Sequence, residues 1–153
     1  MDSLHPSERL PPDRIKSNLL KRISLFAAAL LFVSAGIAHF FLTPVLARIV
    51  PPFLPSHRLL VYISGVAEIS GAIGLLVPAL RCRAGWGLVL LLIAVFPANL
   101  YMAIDRVQVT STPAPQWLLW ARLPLQGLLI WWILWITRES AYRVHRERDI
   151  VVE

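Results

Sequence analysis

The stretch Leu59–Val77, which reads LLVYISGVAEISGAIGLLV, decides the fold. It holds one charged side chain, Glu68, among apolar and small residues. At 1.5 Å per residue, a helix of this length crosses a hydrocarbon layer of roughly 30 Å. A buried helix of a soluble protein does not need this length, so we predict a transmembrane helix here.

Three further segments share this length and apolar character, and they are residues 23–42, 86–104 and 117–136. Hydrophobic residues make up 57% of the 153-residue chain and charged residues 16%, against roughly a quarter charged in soluble domains. A core of this size cannot hide so many apolar side chains from water, so the lipid bilayer must cover some of them. We predict an all-α fold, an integral membrane four-helix antiparallel bundle over residues 22–137. A disordered cytoplasmic tail at 1–21 precedes it, and a cytoplasmic tail at 138–153 follows.

Basic residues indicate the orientation, because cytoplasmic ends of membrane helices are enriched in arginine and lysine. Eleven flank one side of the predicted bundle, and they are Arg9, Arg14, Lys16, Lys21, Arg22, Arg81, Arg83, Arg138, Arg143, Arg146 and Arg148. Three flank the other side, and they are Arg48, Arg58 and Arg106. The bias predicts a multi-pass protein of the cell membrane with both termini in the cytoplasm.

The connection between the first two transmembrane segments carries helix signals of its own. Thr43 and Pro44 are typical of a helix start, with threonine as the N-cap and proline in the first turn. Pro51 and Pro52 then stop the run. We predict a short interfacial helix over residues 44–50, lying across the outer mouth of the bundle with Arg48 facing water.

Five polar residues lie inside the four segments, and they are His39, Glu68, Asn99, Arg122 and Gln126. Counting inward at 1.5 Å per residue places all five in the outer half of the bilayer. Charged groups there cost several kcal/mol unless they are paired, so an ion pair between Glu68 and Arg122 is expected. In one interpretation the five side chains form a network that fixes the packing of the helices. In the other they line a pocket for a ligand with an apolar body and a polar head.

Other site classes find little support in the sequence. The basic residues lie at helix ends without the interleaved aromatic residues of a nucleic-acid surface, and anionic lipid headgroups explain them better. The remaining histidines are scattered, and with one cysteine, Cys82, they form no metal-ligand pattern. A lone cysteine also excludes a disulfide within the chain.

Several short motifs, in this order and spacing, resemble the DoxX-like family of small four-helix membrane proteins. They are Gly36–Phe40 (GIAHF), Pro51–Pro55 (PPFLP), Ile63–Glu68 (ISGVAE), Gly71–Leu76 (GAIGLL) and Pro97–Met102 (PANLYM). The resemblance covers roughly residues 23–136 and implies a four-helix bundle in the bacterial cytoplasmic membrane. It also implies an association with quinones or with a partner oxidoreductase. His39, Glu68 and Asn99 fall on recurring polar positions of the family, which carry no established catalytic role.

The leading hypothesis is a membrane component of a redox or quinone-linked system that binds a lipophilic, quinone-like molecule at these five residues. Glu68 and His39 would carry protons, and Arg122 would hold an anionic oxygen. Asn99 and Gln126 would orient the ligand. The rival hypothesis is a non-enzymatic scaffold or assembly chaperone for a partner membrane protein. Proton-coupled transport is a third, weaker alternative.

The charge bias yields a prediction about topology. Cysteines placed at Arg48 and Arg106 should react with a membrane-impermeant thiol reagent added outside intact cells, because both positions lie on the side with few basic residues. Labelling that occurs only after lysis would contradict this orientation.

Overall fold

The computed structural model describes residues 12–104 and 115–151, with side chains described within 19–104 and 115–138. It contains five helices: α1 (Pro12–Phe41), α2 (Thr43–Leu46), α3 (His57–Leu76), α4 (Arg81–Ile104) and α5 (Gln116–Val151). The described parts of the chain contain no strand. The all-α prediction is therefore confirmed.

Four of these helices are long and apolar enough to cross a bilayer, over Leu19–Phe41, His57–Leu76, Arg81–Ile104 and Gln116–Arg138. Many of their large apolar side chains point away from the bundle, as Leu30, Ile93 and Trp131 do. Exposed apolar surface on this scale suits lipid rather than water. The chain is a multi-pass membrane protein.

Helices α1 and α5 are longer than predicted. Helix α1 begins at Pro12, a residue suited to a first helical position, and so includes residues 12–21, which the sequence assigned to a disordered tail. Helix α5 continues to Val151, through most of the predicted second tail. Extending an existing helix costs less than starting one, so a transmembrane helix continues readily into residues that favour helix. Residues 1–11 of the predicted tail and Arg106 lie outside the described residues.

The interfacial helix is confirmed but is shorter than predicted, because α2 ends at Leu46. Thr43 is not its N-cap. Leu42 holds that position, and the Thr43 hydroxyl instead donates back to the His39 and Phe40 carbonyl oxygens, 2.5 and 3.1 Å away. Thr43 therefore ties α2 to the last turn of α1.

The transmembrane helices form a ring in chain order. Helix α1 packs on α3, α3 on α4, and α4 on α5, while α5 returns to α1 through far fewer contacts. We call the side where α1 begins and α5 ends the terminal side, and the opposite side the connector side. On the connector side the segment after α2 folds over the bundle, with Val50 and Pro51 buried and Ile49 packed against Met102, Ala103 and Leu119.

Helices α1 and α3 cross at two glycines, where their backbones are in close contact. A Cβ atom on Gly36 would lie 2.8 Å from the Gly65 carbonyl oxygen, and one on Gly65 would lie 2.9 Å from the Gly36 carbonyl oxygen. Both distances are too short for a real side chain. Small residues permit such backbone contact between membrane helices, where packing replaces the hydrophobic effect as the source of association. The Gly36–Gly65 crossing thus fixes the register of α1 against α3.

This crossing gives the second prediction. The Gly65→Ala variant should lower the free energy of unfolding by about 2 kcal/mol, because the added methyl group pushes two backbones apart. Gly87→Ala is the matched control, since a Cβ there meets nothing within 4 Å. It should be neutral or slightly stabilising. Unfolding in detergent micelles measures both, and equal stability of the two variants would contradict the close crossing.

Candidate ligand-binding site

The structure pairs His39 of α1 with Glu68 of α3. The His39 Nδ1 atom lies 3.3 Å from Glu68 Oε2. Glu68 is only 8% exposed, and both residues lie within membrane-spanning segments. An ionisable pair at this depth is costly to maintain, which makes it the first candidate for function.

The glycine crossing positions this pair. The site of the absent Cβ on Gly65 lies 2.9 Å from His39 Cβ, and that on Gly36 lies 3.2 Å from Glu68 Cβ. Each glycine therefore faces the partner that approaches it from the other helix. The missing side chains bring the two backbones close enough for His39 and Glu68 to meet.

Two acceptors compete for the proton on His39 Nδ1. That nitrogen lies 2.8 Å from the Ala35 carbonyl oxygen, one turn earlier, and 3.3 Å from Glu68 Oε2. A carbonyl oxygen can only accept, so Nδ1 carries a proton and donates it to the nearer oxygen. Glu68 Oε2 is buried and has no hydrogen bond within the described residues. A buried acceptor left without a donor costs about 1–3 kcal/mol.

Because Nδ1 keeps its proton, the pair has two arrangements with zero net charge. In one, a Glu68 carboxylate faces a His39 imidazolium, whose Nε2–H is a donor. In the other, a Glu68 carboxylic acid faces a neutral imidazole, whose Nε2 is an acceptor. In the first arrangement Glu68 accepts and His39 donates, and in the second the two roles are exchanged. Neither arrangement places a net charge in the bilayer.

Asn99 and Gln126 form a separate cluster between α4 and α5. The Asn99 side-chain amide donates to Gln126 Oε1 at 3.0 Å, and the Gln126 amide donates to the Leu92 carbonyl oxygen. Pro97 lies within α4 and leaves the Ile93 carbonyl oxygen, one residue after Leu92, without its backbone donor. Gln126 is buried and uses both ends of its amide. This cluster fits the packing interpretation of the sequence.

The expected ion pair between Glu68 and Arg122 is wrong. Arg122 is exposed, and among the described residues its partner is the Met102 sulfur, 3.6 Å from Nη1. Helices α3 and α5 are diagonal in the ring, so residues at similar depths on them do not meet. Gln126 does not bridge the gap, because its hydrogen bonds go to α4. The five residues therefore divide into the His39–Glu68 pair, the Asn99–Gln126 cluster and Arg122.

Three groups that contact the candidate residues or lie beside them were not predicted from the sequence. The Ala35 carbonyl and the Met102 sulfur are acceptors that no pattern singles out, although Ala35 is four residues before His39 and so lies one turn away. The third is the pair of Phe40 and Tyr62, whose rings are 5.7 Å apart beside Gly65. Within residues 19–104 and 115–138, no three potential metal ligands lie together.

Comparisons with known proteins give one family. The sequence model of a family described as a domain of unknown function, DUF8561, matches residues 28–137, which are 110 of the 153 residues. No curated protein and no solved structure matches the chain. The matched region contains the glycine crossing and all five candidate residues. Because this match covers more than half of the chain, the chain belongs to the DUF8561 family.

Proposed function

We propose that this protein binds a lipophilic, quinone-like molecule at the His39–Glu68 pair, as the membrane component of a redox or quinone-linked system. One observation carries the proposal. Glu68 Oε2 is a buried acceptor without a hydrogen bond in the described parts of the chain, next to a histidine that can change its protonation. A buried polar group without a partner calls for an explanation, and a ligand donor is the one proposed here.

The chemistry of the pair matches a molecule that alternates between carbonyl and hydroxyl oxygens. When Glu68 is a carboxylate, Oε2 accepts from a ligand hydroxyl, and the His39 Nε2–H donates to a ligand carbonyl. When the proton resides on Glu68, the two roles exchange. A quinone offers carbonyl oxygens and its reduced form offers hydroxyls, so each form finds a matching partner. We assign the protein a binding role, and the exchange of electrons to a partner oxidoreductase.

The surroundings favour an apolar ligand. The residues that separate the pair from the terminal side form the main apolar core, which includes Phe32, Ala72 and Leu92. Water is scarce at this depth, so a bound molecule must supply its own apolar surface. The resemblance to the DoxX-like family supports the same class of ligand and a bacterial cytoplasmic membrane, and the distribution of basic residues supports cytoplasmic termini.

A scaffold or assembly chaperone for a partner membrane protein is the second candidate. Gly87 on α4 and Gly127 on α5 are exposed, and a Cβ on either would meet nothing within 4 Å. Exposed glycines on membrane helices permit close approach of another helix. A scaffold should copurify with a protein partner through these faces, and its function should not depend on His39 or Glu68.

The third prediction tests ligand binding. A decyl-tailed benzoquinone, titrated into vesicles that contain the protein, should quench its tryptophan fluorescence with a saturable curve. Glu68→Gln should weaken binding at least about tenfold, because a hydrogen bond to a charged group is worth roughly 1.5–3 kcal/mol. Ser70→Ala, an exposed change two residues away on the same helix, is the control and should bind as the wild type does.

A double replacement, His39→Leu with Glu68→Leu, separates binding from structure. Removing both partners avoids an unpaired buried charge, so the protein should fold normally and lose binding. A double variant that folds and binds normally would show that the pair serves packing alone. Absence of saturable quenching in the wild type would contradict the proposed function itself.

A further inference from the structure

The packing of α1 against α5 opens towards the connector side. On α5, Ile136, Leu129 and Arg122 are spaced by seven residues and so share one face. Ile136 lies in the core at 5% exposure, Leu129 is half-buried, and Arg122 is exposed. Along this face, the burial of the side chains decreases from Ile136 towards the N-terminal end of α5.

Helix α1, with Leu42 directly after it, also loses burial towards the connector side, which here is its C-terminal end. Ala28, Ala35 and Leu42 are also spaced by seven residues. Ala28 is fully buried, Ala35 is half-buried, and Leu42 is 48% exposed. Because α1 and α5 also make the sparsest contacts of the ring, we read the two gradients together as a cleft between these helices that widens towards the connector side.

His39 lies on the cleft wall. It is four residues after Ala35, so the two share one face of α1. Its side chain is 22% exposed, against 11% for the side chain of Glu68. The pair therefore reaches the cleft through the imidazole ring. Ala35 and Ala38, both half-buried, leave room beside it.

Arg122 is the exposed end of the α5 gradient, and its guanidinium reaches Met102 of α4 on the connector side. Its guanidinium has five N–H donors, and within the described residues one of them is satisfied, by the weak Met102 sulfur acceptor. Near the end of a transmembrane helix, such a group needs oxygen acceptors from whatever lies beside it. The neighbouring α5 side chains Leu118 and Leu125 are apolar and exposed. This end of α5 thus combines hydrogen-bond donors with an apolar surface.

We propose that the quinone-like molecule enters laterally from the connector-side leaflet through the α1–α5 cleft, where Arg122 receives its carbonyl oxygen before it reaches His39. This inference rests on the proposed function and names the ligand subclass, a molecule with a long apolar tail that travels in lipid. The segment after α2 favours this lateral route, because its Ile49 packs over the ends of α4 and α5 and covers that end of the bundle. The tail occupies the cleft, beside Ala35 and Leu125.

Blocking the cleft should change rates more than affinity. Ala38→Trp narrows the path and leaves Ala35, His39 and Glu68 in place, so association and dissociation of the decyl-tailed benzoquinone should both slow at least about tenfold, at a nearly constant dissociation constant. Arg122→Gln should slow association about tenfold, as expected for the loss of roughly 1.4 kcal/mol of hydrogen bonding to the incoming molecule. Ala94→Trp, an exposed alanine on α4, is the matched control and should leave the rates unchanged.

A second measurement does not depend on bulky substitutions. In a Cys82→Ser background, a fluorophore is attached at Ala38→Cys in the cleft, or at Ala94→Cys on the lipid face of α4, in phosphatidylcholine vesicles. The same quinone should quench the cleft label with saturation and the lipid-facing label linearly. Linear quenching at both labels, with saturable tryptophan quenching retained, would overturn the cleft but leave the proposed function standing. Linear behaviour of all three signals would overturn both.

Discussion

The contact between the backbones of α1 and α3 at Gly36 and Gly65 is the constraint on which the rest of the bundle depends. Neither glycine has room for a Cβ atom, and each opposes the carbonyl oxygen of the other. In a bilayer, lipid tails compete with apolar side chains for every surface, so close packing must hold the helices together. The crossing provides that packing, and it also brings a histidine and a glutamate to 3.3 Å inside the membrane.

The His39–Glu68 pair follows from this geometry but is not explained by stability. Apolar residues would fill the same space at lower cost, since both ionisable groups lose their hydration. The Asn99–Gln126 cluster shows the alternative, because its amides satisfy each other and a backbone carbonyl of the neighbouring helix. Glu68 Oε2 remains without a hydrogen bond in the described residues. The contrast between a satisfied cluster and an unsatisfied pair separates the residues that serve packing from those proposed to bind a ligand.

The membrane-spanning helices were predictable from the sequence, because length and apolar composition alone decide them. Their packing was not. Counting residues inward gives the depth of Glu68 and Arg122, but it does not show that α3 and α5 are diagonal in the ring. The count also assumed that the end of α1 and the start of α3 lie at one level, which places His39 nearer than Glu68 to the outer surface of the bilayer. In the structure Gly36 and His39 oppose Gly65, so the first turns of α3 extend past the end of α1.

The proposed function reduces to one claim, that the pair at the α1–α3 crossing holds a lipophilic molecule in the membrane. Mass spectrometry of the apolar molecules that copurify with the protein tests it most directly. The wild type should carry a quinone-like molecule in near-equal molar amount, and the variant with leucine at both His39 and Glu68 should lack it. Recovery of no such molecule from the wild type, or of equal amounts from both proteins, would contradict the claim.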